Sequence, residues 1–339
     1  MEKCIRISVI VFTAVLFSSC TCNRQKEVTD LPPQVLSSMP LLRFEKDLEK
    51  QVALNNDSLA GLHKRYGTFT ELFCRQILNI RPFNDSTCNK ELVRFANDVD
   101  IRFLKEKTDS VFADFSPYHQ ELIKALNLLK QQVPSFHLPS VIITFISAFN
   151  YRVITTDSIL ALSLDMFLGS HEEEMYSSVG FPRYLSRKFS PDYLVVDAMR
   201  GWIQSEMPDD SAGNDLISRM IHYGKQQYIL KQILPDTPDS ILFGYTNEQM
   251  KWCMKEEAGI WAYFIEKNLL FNTQMQQYAR YITDGPTTHG MPKESPGNIG
   301  LFIGYRLVKA YAEKNKATVE ALLQQKDAHE LMRKSGYRP

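Results

Sequence analysis

The stretch from Leu41 to Val133 reads as several helices that bury one face each. The clearest runs from Ser116 to Val133. Ser116-Pro117 stand at its N-cap and first-turn positions, and Leu122, Ala125, Leu126, Leu129 and Val133 fall on one side. That stripe needs something to pack on. The pattern then changes: Val141 to Phe149 is β-branched and aromatic on both faces, and a second apolar run, Ile159 to Phe167, follows the turn-like Thr156-Asp157-Ser158. Both read as core strands, with a short one at Tyr151 to Thr155 between them, so the pattern predicts a small mixed sheet.

Helical spacing resumes at Ser190-Pro191, where Leu194, Val195, Ala198, Met199 and Trp202 make the apolar stripe. A further helix is predicted from about Asn214 to Leu234, with Ile217, Met220, Ile221, Gly224 and Tyr228 along one side and Pro235 and Pro238 ending it. Thr246 with Gln249 fits a capping box, followed by Met250, Cys253, Met254, Ile260, Trp261 and Phe264 on one helix. Gly297, Gly300 and Gly304 stand three and four apart before Leu307 and Val308, which in a helix lets another backbone approach closely. Helices, a small sheet and helices again predict a mostly helical α+β fold in one domain.

The N-terminus carries a different signal. Lys3 and Arg6 precede an apolar run, Ile7 to Phe17, too short to span a bilayer as a stable anchor, and small Ser18-Ser19 come directly before Cys20. That order is a secretion signal, and its end resembles the lipobox read by bacterial signal peptidase before a diacylglycerol is attached to the cysteine sulfur. Phe17 stands where leucine is more usual, and Cys22 fits less well because Thr21 is bulkier than the favoured small residue. The resemblance implies a lipoprotein signal peptide at 1–19 and lipid (palmitate among its chains) on Cys20; a plain secretory signal or an uncleaved anchor is the other reading. Residues 20–40 then form a polar, flexible tether with a stiffer step at Pro32-Pro33, and 41–339 the folded part. Each buried methylene contributes about 0.8 kcal/mol, so two or three acyl chains on one cysteine hold durably. Thr21 with no acidic run behind it points to the periplasmic side of the envelope.

Net charge is formally zero with no basic stripe, which gives no support for nucleic-acid binding. Beyond Cys22 only Cys74, Cys88 and Cys253 remain; Cys74 and Cys88 can pair in an oxidising envelope, and no spacing matches a zinc motif. His171-Glu172-Glu173-Glu174 reads as a solvated acidic loop, since neighbouring residues rarely converge on one ion. No two of the seven histidines have the spacing of a helical zinc pair, no GxSxG elbow is present, and Gly297-Asn298-Ile299-Gly300 is not a phosphate loop. Gly224-Lys225 reads as a glycine at a helix crossing beside a surface lysine. Asp197 and Arg200, three apart, are placed to form a partly buried ion pair near the sheet. Tyr193, Trp202, Tyr223, Tyr228, Trp252 and Trp261 are candidates for an aromatic groove or for core.

The second half resembles a known family. Leu164-Asp165-Met166-Phe167-Leu168-Gly169, Tyr184-Leu185, Gly201-Trp202-Ile203, Met220-Ile221-His222-Tyr223-Gly224-Lys225 and Pro235-Asp236-Thr237-Pro238-Asp239 are similar to blocks of the gliding-motility lipoprotein GldB family of the Bacteroidetes. So are Gly244-Tyr245-Thr246, Trp261-Ala262-Tyr263-Phe264, Ser295-Pro296-Gly297 and Ile303-Gly304-Tyr305-Arg306-Leu307-Val308. The likeness spans roughly Val141 to the C-terminus and implies a place in the envelope machinery for gliding and protein secretion, with no catalytic residues to carry over. A more distant likeness is to predicted zinc proteases with HExxH on a long helix. In that register Asp197-Ala198-Met199-Arg200-Gly201 takes the HExxH place and Tyr223 falls near a third ligand, so Asp197, Gly201 and Tyr223 mark a metal site whose ligands are lost, a degenerate zincin-like fold and pseudoenzyme.

These readings converge on a non-catalytic, membrane-tethered envelope lipoprotein that acts on other envelope proteins, with no cofactor and no metal. Trp202, Tyr228 and Trp261 are its candidate groove. An envelope metallopeptidase using another site is the competing reading, and a small-molecule or glycan-binding lipoprotein the third.

Overall fold

The computed structural model describes residues 39–54, 60–80, 82, 86–208 and 213–339. Residues 1–38, which hold the expected signal peptide, most of the expected tether and Cys20, lie outside the described residues. The sheet consists of β1 (Leu41–Arg43), β2 (Val141–Phe145), β3 (Val153–Thr155) and β4 (Ile159–Ser163), in the order β1-β2-β4-β3. β1 is parallel to β2, β2 parallel to β4 and β3 antiparallel to β4, with Ile143 and Ile154 both beside Ala161. The two central strands are buried almost throughout, which is why their sequences do not alternate. Thr156-Asp157-Ser158 closes the β3–β4 hairpin, where Ile159 N donates to Thr156 Oγ1 at 3.1 Å.

Both core strands end sooner than the apolar runs predict. Leu164–Phe167 is a 3-10 turn, and beyond β2 the chain bends through Ala148 and Phe149 at φ +55° and +64°. For β2, Asp165 is the cause. Its buried carboxylate accepts from Ser147 N at 3.2 Å and Phe149 N at 2.7 Å, and from Ser163 Oγ, so a side chain takes donors that a longer ladder would use. β1 lies outside the expected strands, because three residues are too few to show a period.

Helices cover both faces. Phe44 and Leu48 of α1 (Phe44–Ala53) join Phe69 and Phe73 against Ile143, Phe145, Ile159 and Ala161 on one face. The Phe44 and Phe73 ring centroids are 4.6 Å apart, and those of Phe69 and Phe145 5.5 Å. In α2 (Ser116–Gln132) the predicted stripe is buried, and Phe115 rather than Ser116 is the N-cap. On the opposite face of the sheet, α3 (Leu194–Glu206) packs Gly201 against Val153 and Thr155, where a Cβ would collide with the Val153 side chain.

α4 (Leu216–Ile233) crosses α5 (Ile299–Asn315) at a contact of bare backbone. A Cβ on Gly224 would overlap the Gly304 carbonyl, and one on Gly304 the Met220 carbonyl. This is the helix crossing that the glycine spacing predicts. The capping box is present as well: Gln249 N donates to Thr246 Oγ1 at 3.1 Å and Thr246 N to Gln249 Oε1 at 3.0 Å. The helix after it breaks at Glu256 into Asn247–Lys255 and Glu257–Glu266, which leaves Met254 exposed while Met250, Cys253, Ile260 and Phe264 stay buried. No helix among the described residues is long and apolar enough to cross a membrane.

Candidate functional site

The chain enters α3 through a 3-10 turn, Pro191–Tyr193, capped by Ser190. This places Asp197 in the first turn of α3. The β3–β4 hairpin brings Arg152, the residue before β3, over that turn. The Arg152 guanidinium carbon stands 5.2 Å and 5.0 Å from the ring centroids of Phe167 and Phe189. Its Nη2 donates to Lys188 O at 3.1 Å and to Asp197 Oδ2. The partner of Asp197 is therefore Arg152 and not Arg200, as the helical spacing suggested. Arg200 turns toward α4 instead, donating to Gln227 Oε1 at 3.1 Å and to Leu242 O. Long-range geometry overrides the local pairing, because the hairpin fixes Arg152 against α3.

Between α3, α4 and the start of α5 lies a cavity of about 640 Å³. Arg152, Lys188, Asp197, Arg200 and Asp284 supply its charges, and Tyr193 and Tyr223 part of its wall. Lys188 Nζ and Asp284 Oδ2 are 2.5 Å apart, the lysine side chain 13% exposed and the aspartate 48%. Burial pushes the Lys188 ammonium down despite Asp284. Burial works against the Asp284 charge too, but Lys188, the charge of Arg200 and a hydrogen bond to the Asn298 side chain together outweigh it, and the carboxyl ends below its ordinary range. Burial also lowers the Arg200 guanidinium, against the fields of Asp197 and Asp284.

Of the three positions in the zincin-like register, Asp197 and Tyr223 border this cavity, while Gly201 faces β3. The three groove candidates sit at separate contacts and none lines it. Trp202 is 0% exposed and donates from Nε1 to His137 O at 2.9 Å. Tyr228 faces Tyr305, with centroids 6.4 Å apart, and Trp261 faces Tyr337 at 5.2 Å. Trp202 is thus a core residue, with its one polar atom satisfied.

Two surface readings need correction. Glu172 is not solvated: it is buried at the end of a 3-10 turn and pairs with Lys107 Nζ at 2.6 Å. Lys225 is buried as well, its Nζ donating to Gln325 O at 2.6 Å, because α4 is enclosed on nearly every side. It borders a second cavity, of about 500 Å³, together with His222 and His329. Cys74 and Cys88 are buried with their Sγ atoms 3.1 Å apart. No three His, Cys, Asp or Glu side chains among the described residues converge on a point that would hold a metal ion.

Sequence reasoning missed Arg152, Lys188, Asp284 and Asn298. Arg152 begins a strand and Lys188 stands beside an aromatic residue, but neither pattern distinguishes a cavity cation from a surface one. Only the fold brings the four together.

No curated protein matches the chain, and no solved structure does. A family model does, that of the gliding motility protein GldB, over residues 21–339. The match covers the N-terminal half as well as the blocks after Val141, and the chain belongs to the GldB family.

Proposed function

We propose that this protein is a lipid-tethered, non-catalytic component of the cell envelope that works by holding other proteins of the gliding and secretion machinery. Membership of the GldB family supports the setting. Cys20 carries the lipid, residues 1–19 are removed, and residues 41–339 form one α+β domain held on the periplasmic side of its membrane. In this reading α3 and α4 stand where a zinc protease carries its ligands, and Asp197, Gly201 and Tyr223 occupy the ligand positions.

The observation that carries the non-catalytic part is the engagement of Asp197. The one carboxylate in that register is committed to Arg152, Gly201 has no donor atom, and a tyrosine replaces the third ligand. A carboxylate oxygen already occupied by a guanidinium is not available to ligate a metal.

Two measurements test the reading. Metabolic labelling with a fatty acid follows the anchor, and Cys20→Ala abolishes the label; undiminished label assigns the lipid elsewhere. Crosslinking in intact cells followed by capture of the protein identifies partners, which His222→Ala leaves bound. A zinc-dependent peptidase activity in the purified parent, lost in a folded His222→Ala protein that still captures its partners, overturns the non-catalytic assignment.

A further inference from the structure

The charges lining the cavity between α3, α4 and α5 do not balance. Arg152 is paired with Asp197, and Lys188 with Asp284. Arg200 is left over. Its guanidinium donates to two neutral oxygens, Gln227 Oε1 and Leu242 O, and no carboxylate among the described residues forms an ion pair with it. A guanidinium offers five N–H donors, so most of the capacity of Arg200 is uncommitted. Asp197 and Asp284 act on Arg200 only from a distance, and each is engaged by another cation. A buried cation in excess of its neighbouring carboxylates is costly, and an anion entering the cavity relieves that cost.

Two other atoms on the same wall are buried without a hydrogen-bond partner: Arg152 Nε, a donor, and Asn298 Oδ1, an acceptor. Asn298 is also the N-cap of the 17-residue helix α5, so the positive end of that helix borders the same space. The wall therefore asks for three things at once: a negative charge, an acceptor for Arg152 and an N–H or O–H donor for Asn298. Sulfate supplies the charge but no donor, and hydrogen phosphate, whose P–OH can donate, still lacks the body to fill about 640 Å³. The end of a peptide chain supplies all three, as a terminal carboxylate, a backbone carbonyl and an amide N–H. Tyr193, Tyr223 and Phe243 give its side chains an aromatic wall.

We propose that this cavity receives the C-terminal end of a peptide chain, with the terminal carboxylate on Arg200. The proposal rests on the partner-holding reading for its source: the peptide is the C-terminal tail of an envelope protein, captured without cleavage.

The test titrates the full chain in detergent with a mixed-sequence tripeptide pool bearing free C-termini, with the same pool amidated, and with succinate, reading heat of binding. The free-acid pool binds, and more weakly as salt rises. Amidation weakens it by about tenfold or more, Arg200→Gln by a similar factor and Arg200→Lys by less, as for loss of a charge-assisted contact. Thr283→Trp, at an exposed position on the rim, blocks entry by bulk alone and carries the test if Arg200→Gln fails to fold. Equal binding of the two pools overturns the proposal, as does no binding of either. Succinate binding as tightly as the free-acid pool makes the cavity a receptor for small organic acids, and unchanged affinity in Thr283→Trp places the peptide elsewhere. Crosslinked partners that persist without peptide binding refute the cavity assignment and leave the partner-holding reading standing; absence of any partner refutes that reading instead.

Discussion

Alanine in place of Gly304 tests the α4–α5 crossing directly. In an open helix a glycine-to-alanine change is favourable by up to about 1 kcal/mol, because glycine loses more backbone freedom on folding. At position 304 the new Cβ would lie inside the van der Waals shell of the Met220 carbonyl, which is backbone and cannot rotate away. The two helices must part, and Met220, Ile303 and Leu307, fully buried around the crossing, lose contact. Overpacking against backbone costs toward the upper end of about 1–3 kcal/mol, so after a propensity gain of up to about 1 kcal/mol the expected net loss is about 1–2 kcal/mol. For a domain of this size that lowers the melting temperature by roughly 2–6 °C. Gly224→Ala strikes the same contact from the other helix and costs a similar amount. The double variant loses less than the sum of the two, since helices already parted accommodate the second methyl. Gly259→Ala is the control: that glycine is exposed in a helix and a Cβ there meets only Glu256 Oε2, at 3.8 Å, so the change is neutral or stabilising by up to about 1 kcal/mol. Urea unfolding of the purified variants reads all four. A Gly304→Ala protein as stable as its parent, or a Gly259→Ala protein as damaged as Gly304→Ala, refutes the reasoning.

In the oxidising envelope Cys74 and Cys88, with sulfurs 3.1 Å apart, bridge to close a loop of about 15 residues worth about 3 kcal/mol; alkylation of denatured, unreduced protein from cells leaves both unmodified, and two labelled thiols there rule the bridge out. Asp197→Ala leaves Arg152 between Phe167 and Phe189 without its carboxylate, with side chains only 15% and 25% exposed in the parent, and costs about 2–4 kcal/mol. A double-mutant cycle with Arg152→Met measures the coupling, and a value near zero contradicts the pairing. Burial, helped by the nearby charge of Lys326, pushes the Lys225 ammonium down from its ordinary 10.5 to about 8. Between those values the unfolded chain holds more protons than the folded one, so stability rises with pH across that window. Lys225→Met flattens this rise, and a parent-to-variant difference in unfolding free energy that stays constant from pH 8 to 10.5 contradicts the shift.

Much of the architecture is written in local patterns. The stripe of Leu122, Ala125, Leu126 and Leu129, the Thr246–Gln249 box and the β-branched cores of β2 and β4 each depend on residues a few positions apart, and the chain carries them whatever lies opposite. The glycines at 300 and 304 announce a close approach for the same reason, although not that Gly224 answers Gly304. Residues joined by long-range geometry are a different matter. Asp197 has Arg200 within one helical turn, but the hairpin delivers Arg152, and no spacing rule weighs a partner 45 positions away against one three away. Glu172 and Lys225 look like surface charges because nothing local says that Lys107 or Gln325 will cover them. β1 exists only because β2 offers it an edge, and β2 stops where the Asp165 carboxylate takes the backbone donors that follow it. Local hydrogen bonding and periodic burial thus determined the elements. The cavity, its unbalanced guanidinium and the fate of the carboxylate in α3 were decided only when distant segments packed, since charge pairing inside a fold depends on distances that the linear order does not contain.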